Sequence, residues 1–449
     1  MRKRALFVVV LLTGAAIAPS ALEAQSPSPG GAQHPQEYRH YGGTPVTLAD
    51  LLREATEKNP DLIALRQQIE VTRQRPQLER ALNAPMAEAQ VWQWPINTLN
   101  PANTNMYMFV VRQDLPGRGK RELRAAVAEK DIALAENDVT IRARQIVNEI
   151  KQAYASLFIA RKAIDVHLAS VDLLRQIADV SQVKYSTGRI SQQDVLKPVV
   201  ELSKLYSDII QFDEQASLAS ARLNVLVNRA PETPIGPLVE PGEEALPATA
   251  DLQRLAIEHQ PELERARLEI QRAEAELASA KREYKPDFSV QGGYMLTPRM
   301  TDAWMGSVAV SWPKAPWSRG KIDARVAEQT SAVEAAKARE RGMENMVRLA
   351  VQEAIVRAKS AQERSALLRT TILPQAQQTL DVSRIAYQTD RLDFQAVIDN
   401  KRTLLDADLA YVRALSEFEQ AKADLERAIG ADLPDGTTAS ATRLEGGLR

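Results

Sequence analysis

Cysteine is absent from all 449 residues. That excludes disulfides, thiolate metal sites, thiol nucleophiles and a lipid-bearing N-terminal cysteine. Histidine is scarce: His34, His40, His167 and His259 are the four, none near another in sequence, so no imidazole metal site is expected. Aromatics make up 5% of the chain against a hydrophobic share of 44%, a balance that reads as long Ala/Leu-rich helix rather than a dense globular core. Net charge is also missing. Lys and Arg number 57 and Asp and Glu 58, so a nucleic-acid partner has no electrostatic support. There is no serine elbow, no phosphate-cradling glycine loop and no His/acid cluster at ligand spacing, so neither an enzyme nor a cofactor is expected. Beyond the N-terminus no apolar run approaches the 18 residues that would mark a membrane helix. An exported chain of this kind is either soluble or placed in an outer membrane as a β-barrel.

Export itself is indicated at the start. Arg2, Lys3 and Arg4 precede an apolar run from Ala5 to Ala18, then Pro19 and small residues ending near Ala24. This is the form of a secretory signal peptide, residues 1–24, cleaved near Ala24; a retained anchor is the alternative. Residues 25–46, rich in Pro, Gly, Ser and Gln, read as a flexible leader.

From residue 47 onward the chain is one unit written twice. Arg112 to Arg124 and Ser311 to Arg325 each carry a short apolar run into a Pro/Gly turn and then into a very long helical stretch. Gly119 aligns with Gly320, and Asn59-Pro60-Asp61-Leu62 with Gln260-Pro261-Glu262-Leu263, at one offset of 201. Tyr185 aligns with Tyr387, and Leu223 with Leu425, at 202. The expected division is a first repeat over 47–230, a linker over 231–249, a second repeat over 250–432 and a disordered tail over 433–449. Each repeat runs helix, two strands, long helix, turn, long helix. The first helix, opened by an N-cap at Thr47, is expected to reach about Asn83, with breaks at Pro60 and Pro76.

The strands are expected at 86–94, 104–115, 287–296 and 304–312. In the second repeat, Phe288, Val290, Gly292, Tyr294 and Leu296 alternate with smaller or polar residues, as do Trp304, Gly306, Val308, Val310 and Trp312. That is the period of a strand with one apolar face. In the first repeat Glu88 and Arg112 spoil the alternation. All five Trp (Trp92, Trp94, Trp304, Trp312, Trp317) and six of the nine Met lie in or beside these windows. Trp at the ends of such strands suits the lipid–water boundary of a membrane barrel; a small soluble sheet with buried Trp fits the alternation equally. The methionines invite a soft-metal reading, but lipid-facing or packing filler is preferred.

The helices are long. Leu157, Ala160, Ile164, Leu168 and Val171 mark one stripe, and Leu405, Leu409, Val412, Leu415 and Phe418 another. The run from 118 to 182 corresponds to about 95 Å of helix. Rods of this length must pack on each other and on neighbouring chains. Four strands cannot close a barrel in lipid, where bacterial barrels have at least about eight, so at least two chains must share one barrel, and three would give twelve strands.

These features resemble the TolC family of outer-membrane efflux channels, over Thr47 to Leu433. The family's turn after the second strand is matched by Pro116-Gly117-Arg118-Gly119-Lys120 and by Ser318-Arg319-Gly320-Lys321. Its hairpin tip is matched by Tyr185-Ser186-Thr187-Gly188-Arg189-Ile190-Ser191 with Asp194, and by Tyr387-Gln388-Thr389-Asp390-Arg391-Leu392-Asp393 with Asp399. Asp390 stands where the usual turn has Gly, and Ala396 where some members carry a further acid.

The resemblance implies a mainly α fold with a small β part. It implies a homotrimer whose four strands per chain complete a twelve-stranded barrel in outer-membrane lipid, above a periplasmic helical tunnel. Implied partners are a periplasmic adaptor protein and an inner-membrane pump of the RND type. Implied gate residues are Asp194, Asp399, Tyr185 and Tyr387. The implied adaptor contacts are Gly188, Arg189, Ile190 and Ser191 with Asp390, Arg391, Leu392 and Asp393. The stretch Tyr107-Met108-Phe109 leading to Asp114-Leu115-Pro116-Gly117 resembles the heavy-metal branch, with drugs or other small molecules as the alternative cargo. A soluble periplasmic adaptor and a purely structural coiled coil are the rival readings.

Overall fold

The computed structural model describes residues 44–94, 96–97, 100, 103–239, 246–298, 300–389 and 391–433. The expected signal peptide, nearly all of the leader and nearly all of the tail lie outside these residues.

The first half of the chain opens with three short helices, α1 (Leu48–Lys58), α2 (Pro60–Arg73) and α3 (Arg75–Arg80). The α1–α2 break is built by Asn59, whose side chain accepts from the amides of Asp61 (3.0 Å) and Leu62 (3.4 Å) while Pro60 takes the first helical position. The same buried amide donates to the carbonyl of Leu226, 2.8 Å away. Next come two strands, β1 (Met86–Trp92) and β2 (Met106–Leu115), then α4 (Lys120–Ser186) and α5 (Gln192–Leu226). With 67 residues, α4 is about 100 Å long.

The second half gives α6 (Thr249–His259), α7 (Pro261–Arg282), β3 (Phe288–Leu296), β4 (Ala303–Val310), α8 (Arg319–Leu367), α9 (Leu373–Gln388) and α10 (Phe394–Ile429). Gln260 stands between α6 and α7 and donates to the carbonyl of Arg427 at 3.2 Å. Asn59 with Leu226 and Gln260 with Arg427 are thus the same contact, both partners displaced by 201 positions. Between α8 and α9 the helix widens into a π segment, Leu368–Ile372. Pro374 lacks an amide proton and its ring would press on the carbonyl four residues back, and the wider turn relieves that crowding.

The core is a set of seams between rods. Leu157, Ala160, Ile164, Leu168 and Val171 are each no more than 1% exposed, and burying each large side chain contributes about 1.5–3 kcal/mol. On α10 the expected stripe needs correction. Val412 and Phe418 are buried, but Leu405, Leu409 and Leu415 are only half-buried, and Leu404, Ala407, Ala414 and Ala421 take the inward places. No helix among the described residues is long and apolar enough to cross a membrane.

The strands form one antiparallel sheet in the order β1-β2-β3-β4, joining the two repeats through β2 and β3. Among the described residues, β1 and β4 each pair on one side only. The register sorts every side chain onto one of two faces. Ala87, Ala89, Val91, Tyr107, Phe109, Val111, Val290, Tyr294, Trp304, Val308 and Val310 share an apolar face, most of it exposed. Glu88, Gln90, Arg112, Asp114, Ser289, Gln291 and Ser307 share the other. Glu88 and Arg112, which spoiled the alternation in the sequence, therefore belong to a coherent polar face.

Candidate functional site

The two ends of the rods hold the residues that the sequence motifs single out. At one end the α4–α5 turn places Gly188 at φ +69°, a left-handed position that favours glycine. The amide of Arg189 closes onto the Lys184 carbonyl at 2.9 Å, and the amide of Arg391 closes onto the Ala386 carbonyl at 2.8 Å in the α9–α10 turn. Each turn leads into a capped helix. The Asp194 carboxylate accepts from the hydroxyl (2.9 Å) and amide (3.4 Å) of Ser191, and that of Asp393 accepts from the amide of Ala396 at 2.9 Å. Asp390 lies outside the described residues.

The tips meet. They enclose a cleft of about 620 Å³ lined by Arg189, Ile190, Asp194, Arg391, Leu392 and Asp393, with Lys184 and Tyr387 at its floor. The Lys184 ammonium donates to the Tyr387 carbonyl at 2.6 Å and lies 4.0 Å from the centre of its ring. The Tyr387 hydroxyl is 3.1 Å from that of Ser181. Tyr185, Gly188, Ser191 and Asp399 do not line the cleft. Tyr185 is exposed, and Asp399 accepts from Gln395 at 3.0 Å and lies 3.6 Å from Arg402.

Sequence reasoning missed a second link between the hairpins. Arg402 on α10 reaches Glu201 on α5 through two guanidinium nitrogens, at 2.5 and 3.3 Å. Burial by itself would raise the Glu201 carboxyl, but the bonds from Arg402 and Lys204 outweigh it and hold the group below its ordinary 4.5. The two residues are 201 positions apart, one short of the 202 that aligns this part of the two repeats, so no alignment pairs them.

At the other end, the turn after β2 holds the repeats together. The Gly117 amide donates to Asp287 at 2.7 Å, and the Lys120 ammonium, 2% exposed, pairs with Asp287 at 2.9 Å and Glu283 at 3.0 Å. A Cβ at Gly117 would lie 2.4 Å from the Pro286 carbonyl oxygen, and Gly119 has φ +84°. These two positions require glycine. In the second turn a Cβ on Gly320 meets open space, so its glycine carries no such requirement.

The tryptophans divide by face. Trp304, on the apolar face, is 82% exposed and meets Tyr294 with the rings tilted by 60° at a distance of 5.1 Å. Trp312, just past the helix end of β4, is also exposed and meets Trp317 edge-on at 6.2 Å. Trp304 and Trp312 thus stand toward opposite ends of β4. Trp92 falls on the polar face, its indole donating to Gln90 at 3.0 Å. Trp94 lies beyond the end of β1 and is exposed.

A body of paired long helices that carries a four-stranded sheet with one apolar and one polar face is similar in fold to solved outer-membrane channels of the TolC family. It is 24% identical over 430 residues to the cobalt-zinc-cadmium resistance protein CzcC of Cupriavidus metallidurans, an alignment covering 95% of this chain and all of that one. The outer-membrane channel OprN superposes with a TM-score of 0.74 at 18% identity, over 86% of this chain and 90% of that one. VceC of Vibrio cholerae gives 0.72 at 17%, over 86% and 97%. CusC gives 0.71 at 16%, over 88% and 96%. No family model matches the chain.

Proposed function

We propose that three copies of this chain form the exit duct of a tripartite efflux system, carrying substrate from an inner-membrane pump and adaptor across the periplasm and outer membrane. The observation that carries this reading is the sheet. It has an exposed apolar face, a polar face and two half-paired edges, which water alone does not favour and a closed barrel in lipid satisfies. Three four-stranded sheets joined edge to edge give twelve strands, with the polar face turned to the lumen.

Below the barrel the duplicated hairpins extend as tunnel walls. The half-buried Leu405, Leu409 and Leu415 suit contact with a neighbouring copy. The cleft at the tips presents Arg189, Ile190, Arg391 and Leu392 to the adaptor, and the links Lys184–Tyr387 and Glu201–Arg402 hold the mouth narrow. Asp194 and Asp399 line that mouth. The duct does no chemistry of its own, and the pump supplies the energy. Residues 1–24 direct export. A relative named for cobalt, zinc and cadmium resistance supports heavy-metal ions as cargo.

The test is extraction from isolated outer membranes. The chain should be released only by detergent, as a species of about three chain masses that forms conducting pores in planar bilayers. A folded monomer released without detergent would refute the proposal.

A further inference from the structure

The methionines of the sheet were expected to face lipid or fill gaps, and the register places them otherwise. Met86, Met106, Met108, Met295 and Met305 all lie on the polar face, and none lies on the apolar one. Burial in lipid therefore does not account for them. Three of them gather at neighbouring register positions of β2, β3 and β4. Met108 and Met295 are direct cross-strand partners on β2 and β3. Met305 on β4 is the partner of Gly293, the next residue on the same face of β3. Directly paired side chains have Cβ atoms about 4.5–5.5 Å apart, and diagonal ones remain within reach of long side chains.

Gly293 makes the room for Met305. A Cβ there would meet the Met305 Cγ at 3.2 Å and the Val110 Cγ2 at 3.1 Å. Met305 thus leans over the glycine toward Val110 of β2, which is 4% exposed and two residues from Met108 on the same face. All three methionines are partly buried. Three flexible thioethers beside Val110, on the face that carries Glu88, Gln90, Gln291 and Ser307, form a soft donor set with no fixed charge. Among the described residues no group of three or more His, Asp or Glu stands where it could hold a metal.

The geometry points to Met108, Met295 and Met305 as a thioether site for a soft monovalent cation, Cu(I) or Ag(I), one per chain. Thioethers select such ions over harder divalent ones. The site's position inside a pore rests on the proposed duct; its existence does not.

The experiment titrates Ag(I) into the detergent-purified full chain by calorimetry, with Ag K-edge absorption to identify the donors. Trimer mass is followed separately by light scattering. The native chain should bind Ag(I) through sulfur only, and a variant with all three residues changed to Leu, close in volume, should lose one equivalent per chain while keeping its mass. No Ag(I) binding by the native chain, or undiminished binding by the variant, overturns the site. A chain that binds Ag(I) as expected but is monomeric supports the site and refutes the pore.

Discussion

Lys184 on α4 and Tyr387 on α9 join the two hairpin tips: the ammonium donates to the tyrosine's carbonyl and covers its ring. Tyr387→Phe removes only the contact with the Ser181 hydroxyl, about 1 kcal/mol. Lys184→Met removes both the carbonyl bond and a cation–π contact, the latter about 0.5–2 kcal/mol. Single-channel conductance in planar bilayers should therefore rise in both variants and more for Lys184→Met. Unchanged conductance in both would show that the mouth is held elsewhere.

The Glu201–Arg402 link carries a pH dependence of definite sign. Glu201 is depressed below its ordinary 4.5 in the folded chain, so its contribution is present above about that pH and is lost as pH falls through the depressed value. Arg402 is half-exposed, which limits the pair to about 1 kcal/mol. Glu201→Gln should lower the melting temperature at neutral pH, and the difference from the native chain should shrink toward zero in acid. A difference that grows in acid would contradict the assignment.

The turn after β2 should be far less tolerant than its counterpart after β4. Lys120→Met strands Asp287 and Glu283 without their buried cation. Because both carboxylates keep some solvent, the cost should be about 2 kcal/mol, below the 3–5 of a fully buried pair. Gly117→Ala sets a methyl against the Pro286 carbonyl and should cost at least as much, whereas Gly320→Ala, in a helix with open space beside it, should be neutral or stabilising. Thermal unfolding of the three variants in detergent checks the order. Equal losses at Gly117 and Gly320 would contradict it.

The helical seams were legible because one face of each rod is buried by its own chain: the stripe through Leu157, Ile164 and Val171 is buried throughout. The α10 stripe was less so. Leu405, Leu409 and Leu415 share its period but are only half covered within one chain. The first repeat's strands were obscured because period-two reasoning looked for apolar residues, and Glu88, Arg112 and Asp114 mark the opposite face. Asn59 and Gln260 were visible as aligned dipeptides with proline, but their bonds to Leu226 and Arg427 are made 167 positions away. The Lys120–Asp287 clamp is another pairing across the chain that no local pattern encodes. Of the tip residues, the sequence named Ser191 and Asp393 as adaptor contacts; the structure shows them as helix caps, a role their residue types also suit.

Absence of native cysteine permits a direct test of barrel closure. Val111 on β2 pairs with Gly292 on β3. The repeat offset of 201 carries Gly292 to Val91 and Val290 to Ala89, and the hairpin pairs Ala89–Phe109 and Val290–Val308 then carry Val111 to Val310. Closure by three copies therefore places Val310 on β4 opposite Val91 on β1 of the next copy, within the ~4.4–6.8 Å Cα range of a disulfide. A chain carrying Val310→Cys and Val91→Cys, oxidised in isolated outer membranes, should run as a covalent trimer on a non-reducing gel. The pairing of Val310→Cys with Gln90→Cys, which faces the lumen, should not. Monomer alone from the first pair and from the neighbouring same-face partner Ala89→Cys would contradict the shared barrel.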